Sequence, residues 1–439
     1  MQRPPCSERG GRWRRVGSRR IPAGARLALA VLPLATALPG QNAPSRVRPP
    51  RPLGPIEARA TTTFESISRL FALAGSVLVN DPESRQVILL DSTLTNRRIV
   101  LDSVLGRANS YPGTSAATGL HRFRGDSAFW AYSGATEALI IAPDGRIARI
   151  AATPQEGGPC LFMDMDNTGF ITCDRPIAAT QSAQERQRAA AVGRGHDTTV
   201  LTRQDSSLVV AIEFTTWRVD TIGRFVKRLG GTLVTYSARG TASSQYVVPV
   251  MAVDLWTMFR DGSLAVVRGV DYHVDIVPTA GPAVRGPRVA YPWRPLTDAD
   301  YAAVLDSLHR RDSLALVAQV ARLDSIARAT GRALPPGLVA GGGPSRVYAD
   351  RADWPSYWPA FLPTAFFSAD EDGRLWLQEA TPPGADSVNV YAVFSRRGEL
   401  LDRVTTPRGT EIRGFGPGSA VYLFSMDAGR ATLMKARFR

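Results

Sequence analysis

The stretch S-A-D-E-D-G-R-L-W-L (Ser368–Leu377) sets a polar turn, one glycine and then alternating apolar residues in a row. Looser versions stand at F-R-D-G-S-L-A-V-V (Phe259–Val267), A-L-A-G-S-V-L-V (Ala72–Val79) and G-P-G-S-A-V-Y-L (Gly416–Leu423). Period-two alternation marks a half-buried strand, and the Asp/Gly cluster ahead of it marks a tight turn. Aligned on its glycine, the phrase falls at Gly75, Gly125, Gly169, Gly262, Gly373 and Gly418, with gaps of 50, 44, 93, 111 and 45 residues. The short gaps suit about four strands per unit. The two long gaps each hold an insertion.

A second strand–turn–strand phrase follows several of these glycines: V-I-L-L-D-S-T-L-T-N (Val87–Asn96), A-L-I-I-A-P-D-G-R-I (Ala138–Ile147) and V-Y-A-V-F-S-R-R-G-E-L (Val390–Leu400). Each unit therefore reads as four antiparallel strands with tight turns between the first and last pairs. A lone sheet of this kind cannot bury both faces. Six of them around an axis pack face to face and leave only short edges. The last unit ends one strand short, at Arg439, while R-A-T-T-T-F (Arg59–Phe64) is a β-prone segment without a local partner. Pairing the two removes the open edge. The expected fold class is all-β: a six-bladed β-propeller closed by an N-terminal strand, with a helical insertion between blades four and five.

On Asp261–Val277, Phe366–Leu377 and Val393–Val404 the sequence resembles bacterial six-bladed propellers related to NHL-type propellers. That resemblance covers roughly residues 60–439 without the insertions. It implies a fold and no common activity.

Composition bounds the rest. Hydrophobic content of 44% and charged content of 21% are those of a folded globular chain of 439 residues. The formal charge of +14 is uneven, because residues 1–40 hold eight arginines and one glutamate. No compact basic run with interleaved aromatics follows, so nucleic acid is not an expected partner. Arg-rich residues 3–20 precede the apolar run Ala25–Leu38, with Ala35-Thr36-Ala37 as small residues for cleavage. Residues 1–37 read as a signal peptide of an exported protein, periplasmic or extracellular, and no membrane span is expected in the mature chain. Residues 38–58 read as a Pro-rich linker and 59–439 as the propeller, a monomer. Within it, 175–198 is a polar loop insertion and 297–331 a helical one, with Thr297 capping through Asp300. Tyr301, Leu305, Leu308, Leu316, Val320, Leu323 and Ala327 form its apolar stripe. Cys160 and Cys173 flank Asp166-Asn167; on a hairpin they face each other, and a disulfide is the expectation in an oxidising compartment.

Chemistry-bearing motifs are sparse. Four histidines occur without H-E-x-x-H spacing, and no G-x-S-x-G elbow is present, so no catalytic residue, metal site or cofactor is assigned. Asp164–Gly169 imitates half an EF-hand loop, but Arg175 stands where the bidentate Glu belongs. Ser368–Trp376 nearly matches the sialidase Asp-box, with its glycine one residue late; such boxes are structural turns. Starts of inner strands ring one mouth of a propeller, which selects Glu65, His121, Asp254 and Arg413, with Trp354 and Trp358 arriving from the insertion. They form either a polar ligand site or ordinary channel residues with tryptophans pinning the helix. The expected function is a non-enzymatic module binding a small molecule, glycan or envelope protein. The alternative is a metal-dependent hydrolase or lyase working at the same mouth.

Overall fold

The computed structural model describes residues 49–439 except 74, 105–108, 112–117, 124–125, 133–136, 152–162, 166–169, 177–197, 204–205, 214–218, 227–230, 238–239, 331–344, 382–387 and 428. Two short strands, β1 (Arg51–Pro52) and β2 (Ile56–Arg59), open the chain. β3 (Arg69–Leu73), β4 (Ser76–Asp81), β5 (Gln86–Asp91) and β6 (Arg97–Leu101) then form one antiparallel meander. β7 (Thr118–Phe123), β8 (Ser127–Tyr132), β9 (Glu137–Ile141) and β10 (Ile147–Ala151) form the next.

From there the chain weaves. β11 (Met163–Met165) and β12 (Phe170–Pro176) begin a sheet, but β13 (Thr198–Arg203) leaves it. β14 (Ser206–Glu213) and β15 (Val219–Val226) return and complete the β11–β12 sheet. β16 (Gly231–Ser237) and β17 (Gly240–Val247) join β13 in a second sheet, finished by the parallel strand Ser345–Tyr348. Regular order resumes with β18 (Leu255–Met258), β19 (Leu264–Arg268), β20 (His273–Val277) and β21 (Val284–Arg285). Helix α1 (Asp298–Thr330) leads to β22, the parallel strand already named. β23 (Phe367–Ala369), β24 (Leu375–Gln378), β25 (Val390–Phe394) and β26 (Leu400–Thr405) form a sheet with β1 on its outer edge. β27 (Thr410–Gly416), β28 (Ala420–Asp427) and β29 (Arg430–Arg437) form the last, with β2 as its outer strand.

The fold is an all-β propeller, but not of six equivalent units. Five sheets are blades of the expected kind: those beginning at β3, β7, β18, β23 and β27. In place of a sixth uninterrupted unit, two sheets interleave between β11 and β22, giving seven sheets among the described residues. The helix is corrected as well. It lies in the C-terminal half, and the next described element along the chain is β22 of the added sheet, not the inner strand of a following blade.

Inner strands stand side by side in the order β27, β3, β7, β11, β18, β23. Large apolar side chains fill the spaces between neighbouring sheets. Leu78, Leu120 and Trp130 lie between the β3 and β7 blades, and Tyr272, Phe361 and Phe394 between the β18 and β23 blades. Trp376, Tyr391, Phe415 and Leu423 lie between the β23 and β27 blades. The approach is close: a Cβ at Gly414 of β27 would lie 2.7 Å from the Leu70 carbonyl oxygen of β3.

The termini are joined by hydrogen bonds. β2 pairs antiparallel with β29 at Ile56↔Ala436 and Arg59↔Met434, and Phe64 bridges to Ala431. β1 pairs parallel with β26, and Arg51 Nε reaches Asp402 at 2.6 Å. Five residues of the segment read as a Pro-rich linker, 51–52 and 56–58, are thus built into two sheets.

Thr297 and Asp300 cap α1 reciprocally: the Thr297 amide donates to the Asp300 carboxylate at 2.9 Å, and the Asp300 amide donates to the Thr297 hydroxyl at 3.2 Å. Tyr301, Val304 and Leu305 pack on Trp354, Trp358 and Leu296, and Asp312 accepts from Arg346 of β22 at 2.7 Å, so the first half of the helix is fastened. Beyond it Leu314, Leu316 and Val317 are exposed, which departs from the expected continuous stripe at Leu316. No helix among the described residues is long and apolar enough to cross a membrane.

Candidate functional site

The repeated turn places the site. Asp370 accepts from the amides of Asp372 at 3.0 Å and Arg374 at 2.8 Å, and Gly373 takes the left-handed φ of 76° that the turn needs. With Asp370 turned back into the loop, its neighbour Glu371 points the opposite way, into the axis of the propeller. There a cavity of about 250 Å³ is lined from the inner strands β3, β7, β18, β23 and β27.

Its charged lining is mostly cationic. Arg69 comes from β3, Arg122 from β7, Arg260 from the turn after β18 and Arg413 from β27. Glu371 is held between two of them: one carboxylate oxygen pairs with Arg122 and the other with Arg260. The Glu371 side chain is 10% exposed while Arg260 is 45% exposed, so the pair with Arg260 faces the open side. Arg122 also lies over the Phe71 ring, 5.6 Å from its centre. Arg413 pairs with Glu411 at 2.8 Å and stacks over Phe424.

Burial lifts the Glu371 carboxyl to about 7 against the pull of Arg260, and the nearby Asp370, Asp126 and Asp372 carboxylates add to the rise. Burial, helped by Arg69, pushes the His121 imidazole well below its ordinary range. Geometry agrees: Arg69 Nη1 stands 2.9 Å from His121 Nδ1, and a guanidinium only donates, so Nδ1 is the acceptor of a neutral ring. Tyr422, buried beside the channel and near Glu371, is pushed up to about 12.

The raised carboxyl has a consequence for stability. In the unfolded chain Glu371 titrates near 4.5, so between there and about 7 the folded state holds the extra proton. Its contribution is fully present below about 4.5 and is lost as pH rises through about 7. Discounted for the solvent that reaches the site through Arg260, the expected loss is about 1–3 kcal/mol. Chemical denaturation from about pH 5 to about pH 8.5 should show this decline, and Glu371→Gln should remove it.

The sequence-derived candidates scatter. Glu65 is exposed, and its backbone amide donates to Asp81 at 3.0 Å. Asp254 is buried and accepts from Arg268 at 2.8 Å and from the Gly269 amide at 3.1 Å, fastening a turn. Trp354 donates its indole N–H to the Ala349 carbonyl at 3.1 Å and meets Tyr301 edge-on; Trp358 is buried beside it under Arg294. Arg413 lines the cavity, and His121 backs it through Arg69. Cys160 lies outside the described residues. Cys173 stands in register with Met163 across the hairpin and with Val210 on its other side, and the expected pairing of Cys173 with Cys160 lies outside the described residues. The EF-hand-like turn at 166–169 and most of the 175–198 loop also lie outside the described residues.

Two of the charges that matter have a sequence signal. Arg260 and Glu371 both sit two residues before the turn glycine of their units, Gly262 and Gly373. The inner strands β18 and β23 are neighbours, so one repeat position brings unlike charges to the same level of the channel. Among the described residues no three His, Cys, Asp or Glu side chains converge as a metal-ligand set.

No family model and no curated protein matches the sequence. Solved structures similar to the chain include virginiamycin B lyase from Staphylococcus aureus, at 9% identity and a TM-score of 0.36 over 85% of this chain and 95% of that one. A member of the duf4221 family from Bacteroides vulgatus is 9% identical, with a TM-score of 0.43 over 90% of this chain and 98% of that one. The PQQ-bound aldose sugar dehydrogenase from Streptomyces coelicolor is 11% identical, with a TM-score of 0.37 over 90% and 100%. At these values nothing of their chemistry carries over, and the propeller rests on the sheet topology alone.

Proposed function

We propose that this chain is an exported, non-enzymatic binding module whose ligand is a small anion held in the central channel. The carrying observation is the convergence of Arg69, Arg122, Arg260 and Arg413 on one cavity. The second acid of the lining, Asp370, is turned away into bonds with Arg374 and Trp376. Guanidinium groups are the side chains best shaped to hold carboxylate or phosphate oxygens. At about 250 Å³ the cavity lies below the usual range for drug-sized ligands, which favours a compact one. Export is supported by the basic, apolar and small-residue segments of residues 1–37.

Titration calorimetry with a panel of small carboxylates, phosphate esters and neutral sugars tests the reading. Anions are expected to bind and neutral sugars not to. Arg260→Ala, at a half-exposed position, should weaken anion binding roughly 10- to 100-fold. Preference for neutral sugars, or binding indifferent to Arg260, would count decisively against it.

A further inference from the structure

We infer that Glu371 is an internal occupant of the anion site, and that the ligand presents an oxyanion group that replaces the Glu371 carboxylate between Arg122 and Arg260. The inference rests on the binding reading above and adds to it the ligand's recognition group and a means of regulation.

The geometry carries it. Arg122 stands on β7 and Arg260 beyond β18, two strands with β11 between them. One carboxylate spans the two guanidiniums, giving one oxygen to each. That is the arrangement a bound carboxylate or phosphate takes, made here by the protein itself. Glu371 is also free to leave without the turn unfolding. Its loop is fixed through Asp370, whose carboxylate holds the Asp372 and Arg374 amides, while the Glu371 side chain carries only its own bonds to the arginines. Half-exposed Arg260 gives the way in. Two anions do not share the space between the guanidiniums, so ligand and Glu371 compete, and protonation of Glu371 removes the competitor.

The charged and titratable groups facing Glu371 are Arg122 and Asp126 from the β7 blade, Arg260 from β18, Asp370 and Asp372 from its own turn, and Tyr422 from β28. Arg69 and Arg413 complete the lining. His121 behind Arg69 is held neutral and Tyr422 titrates only at about 12, so neither imitates the expected response.

The test is calorimetric binding of sulfate and of acetate, whose charges stay constant between about pH 6 and about pH 8.5, to the wild-type chain and to Glu371→Gln. Wild-type affinity should fall roughly 30-fold across that span, as expected of a competitor that ionises at about 7. Glu371→Gln should show a flat profile and bind at least about 10-fold tighter than wild type at about pH 8.5. The better of the two probes tells a planar carboxylate group from a tetrahedral phosphate-like one, and either supports displacement. Equal affinity and equal pH response in the two proteins overturn the inference and leave the binding reading standing. Absence of binding by either protein at every pH overturns both. If the variant does not fold, the wild-type profile alone decides: a flat one sinks the competition.

Discussion

Glu379→Ala is expected to lower the free energy of unfolding by about 3–5 kcal/mol, because it strands a buried cation. The Arg403 side chain is 3% exposed and Glu379 8% exposed. Arg403 Nε lies 3.1 Å from both carboxylate oxygens, and Nη2 donates to the Ala290 carbonyl at 2.7 Å. The Tyr272 hydroxyl donates to the same carboxylate at 2.9 Å from the neighbouring blade, inside a packed group with Tyr291, Phe361 and Phe394. Burial raises the Glu379 carboxyl despite Arg403, and raises the Tyr272 hydroxyl well above its usual value. Removing Glu379 therefore leaves a guanidinium without a counter-charge and a phenol without its acceptor. Arg403 Nη1 is already buried without a hydrogen-bond partner, so little remains to absorb the loss. The pair stabilises the fold only as a pair. Glu379→Leu combined with Arg403→Met should therefore be far milder than either single change, within about 1–2 kcal/mol of wild type. A double-mutant cycle by chemical denaturation measures the coupling, and a single-mutant loss below about 1 kcal/mol would show that the cation finds water instead.

The sequence made the repeating unit readable because its signal is local. A polar turn, a glycine and a period-two run sit within ten residues, and each can be recognised without knowing what it packs against. That suffices for the blades starting at β3, β7, β18, β23 and β27. It fails between Gly169 and Gly262. β13 (T-T-V-L-T-R), β16 (G-T-L-V-T-Y-S) and β17 (G-T-A-S-S-Q-Y-V) are rich in β-branched and small polar residues and plainly strand-forming. Which sheet each joins is not written in that pattern. β13 skips β14 and β15 to pair with β16, and β22 joins from almost a hundred residues further on. Pairing partners are a non-local property, and one extra sheet was hidden in what reads as one blade and a loop. The helix shows a similar limit. Its stripe is legible at Tyr301 and Leu305, and Leu308, Val320, Leu323 and Ala327 are half-buried as well, but among the described residues no neighbour covers Leu316, which stays in solvent.

The channel was less legible than the blades. Nearly all of the 53 basic residues are arginines, so the presence of one at any position says little, and only register tells which point inward. Starts of inner strands were the natural guess for a mouth, yet the central charges lie at the opposite, turn-side end of β7, β18 and β23. Glu371 hides in D-E-D, where all three acids read as turn formers. Alternation separates them: Asp370 and Asp372 both reach Arg374, while Glu371 between them faces the axis. The unlike charges two residues before Gly262 and Gly373 were the one trace of this in the sequence.

Asp370→Ala should cost about 2–4 kcal/mol, and its effect should reach the channel as well as the core. Asp370 is buried and accepts four bonds: the amides of Asp372 and Arg374, Arg374 Nε at 2.7 Å and the Trp376 indole N–H at 2.9 Å. Trp376 is fully buried against Phe415 and Phe438, so losing its acceptor leaves an indole N–H with no route to water. Asp370→Asn keeps an acceptor and should lose only about 1 kcal/mol. Trp376→Phe removes the orphaned donor while keeping most of the ring, so in the Asp370→Ala background it should add less damage than it does alone. Additive losses in that cycle would mean that the carboxylate and the indole do not depend on each other. The same turn presents Glu371 to Arg122 and Arg260. Once Asp370 no longer fixes it, the carboxyl should reach solvent more easily, and the decline of stability through about pH 7 should shrink with it. A variant that loses stability but keeps the full pH decline would separate the turn from the channel, and would mean that Glu371 is held by its arginines alone.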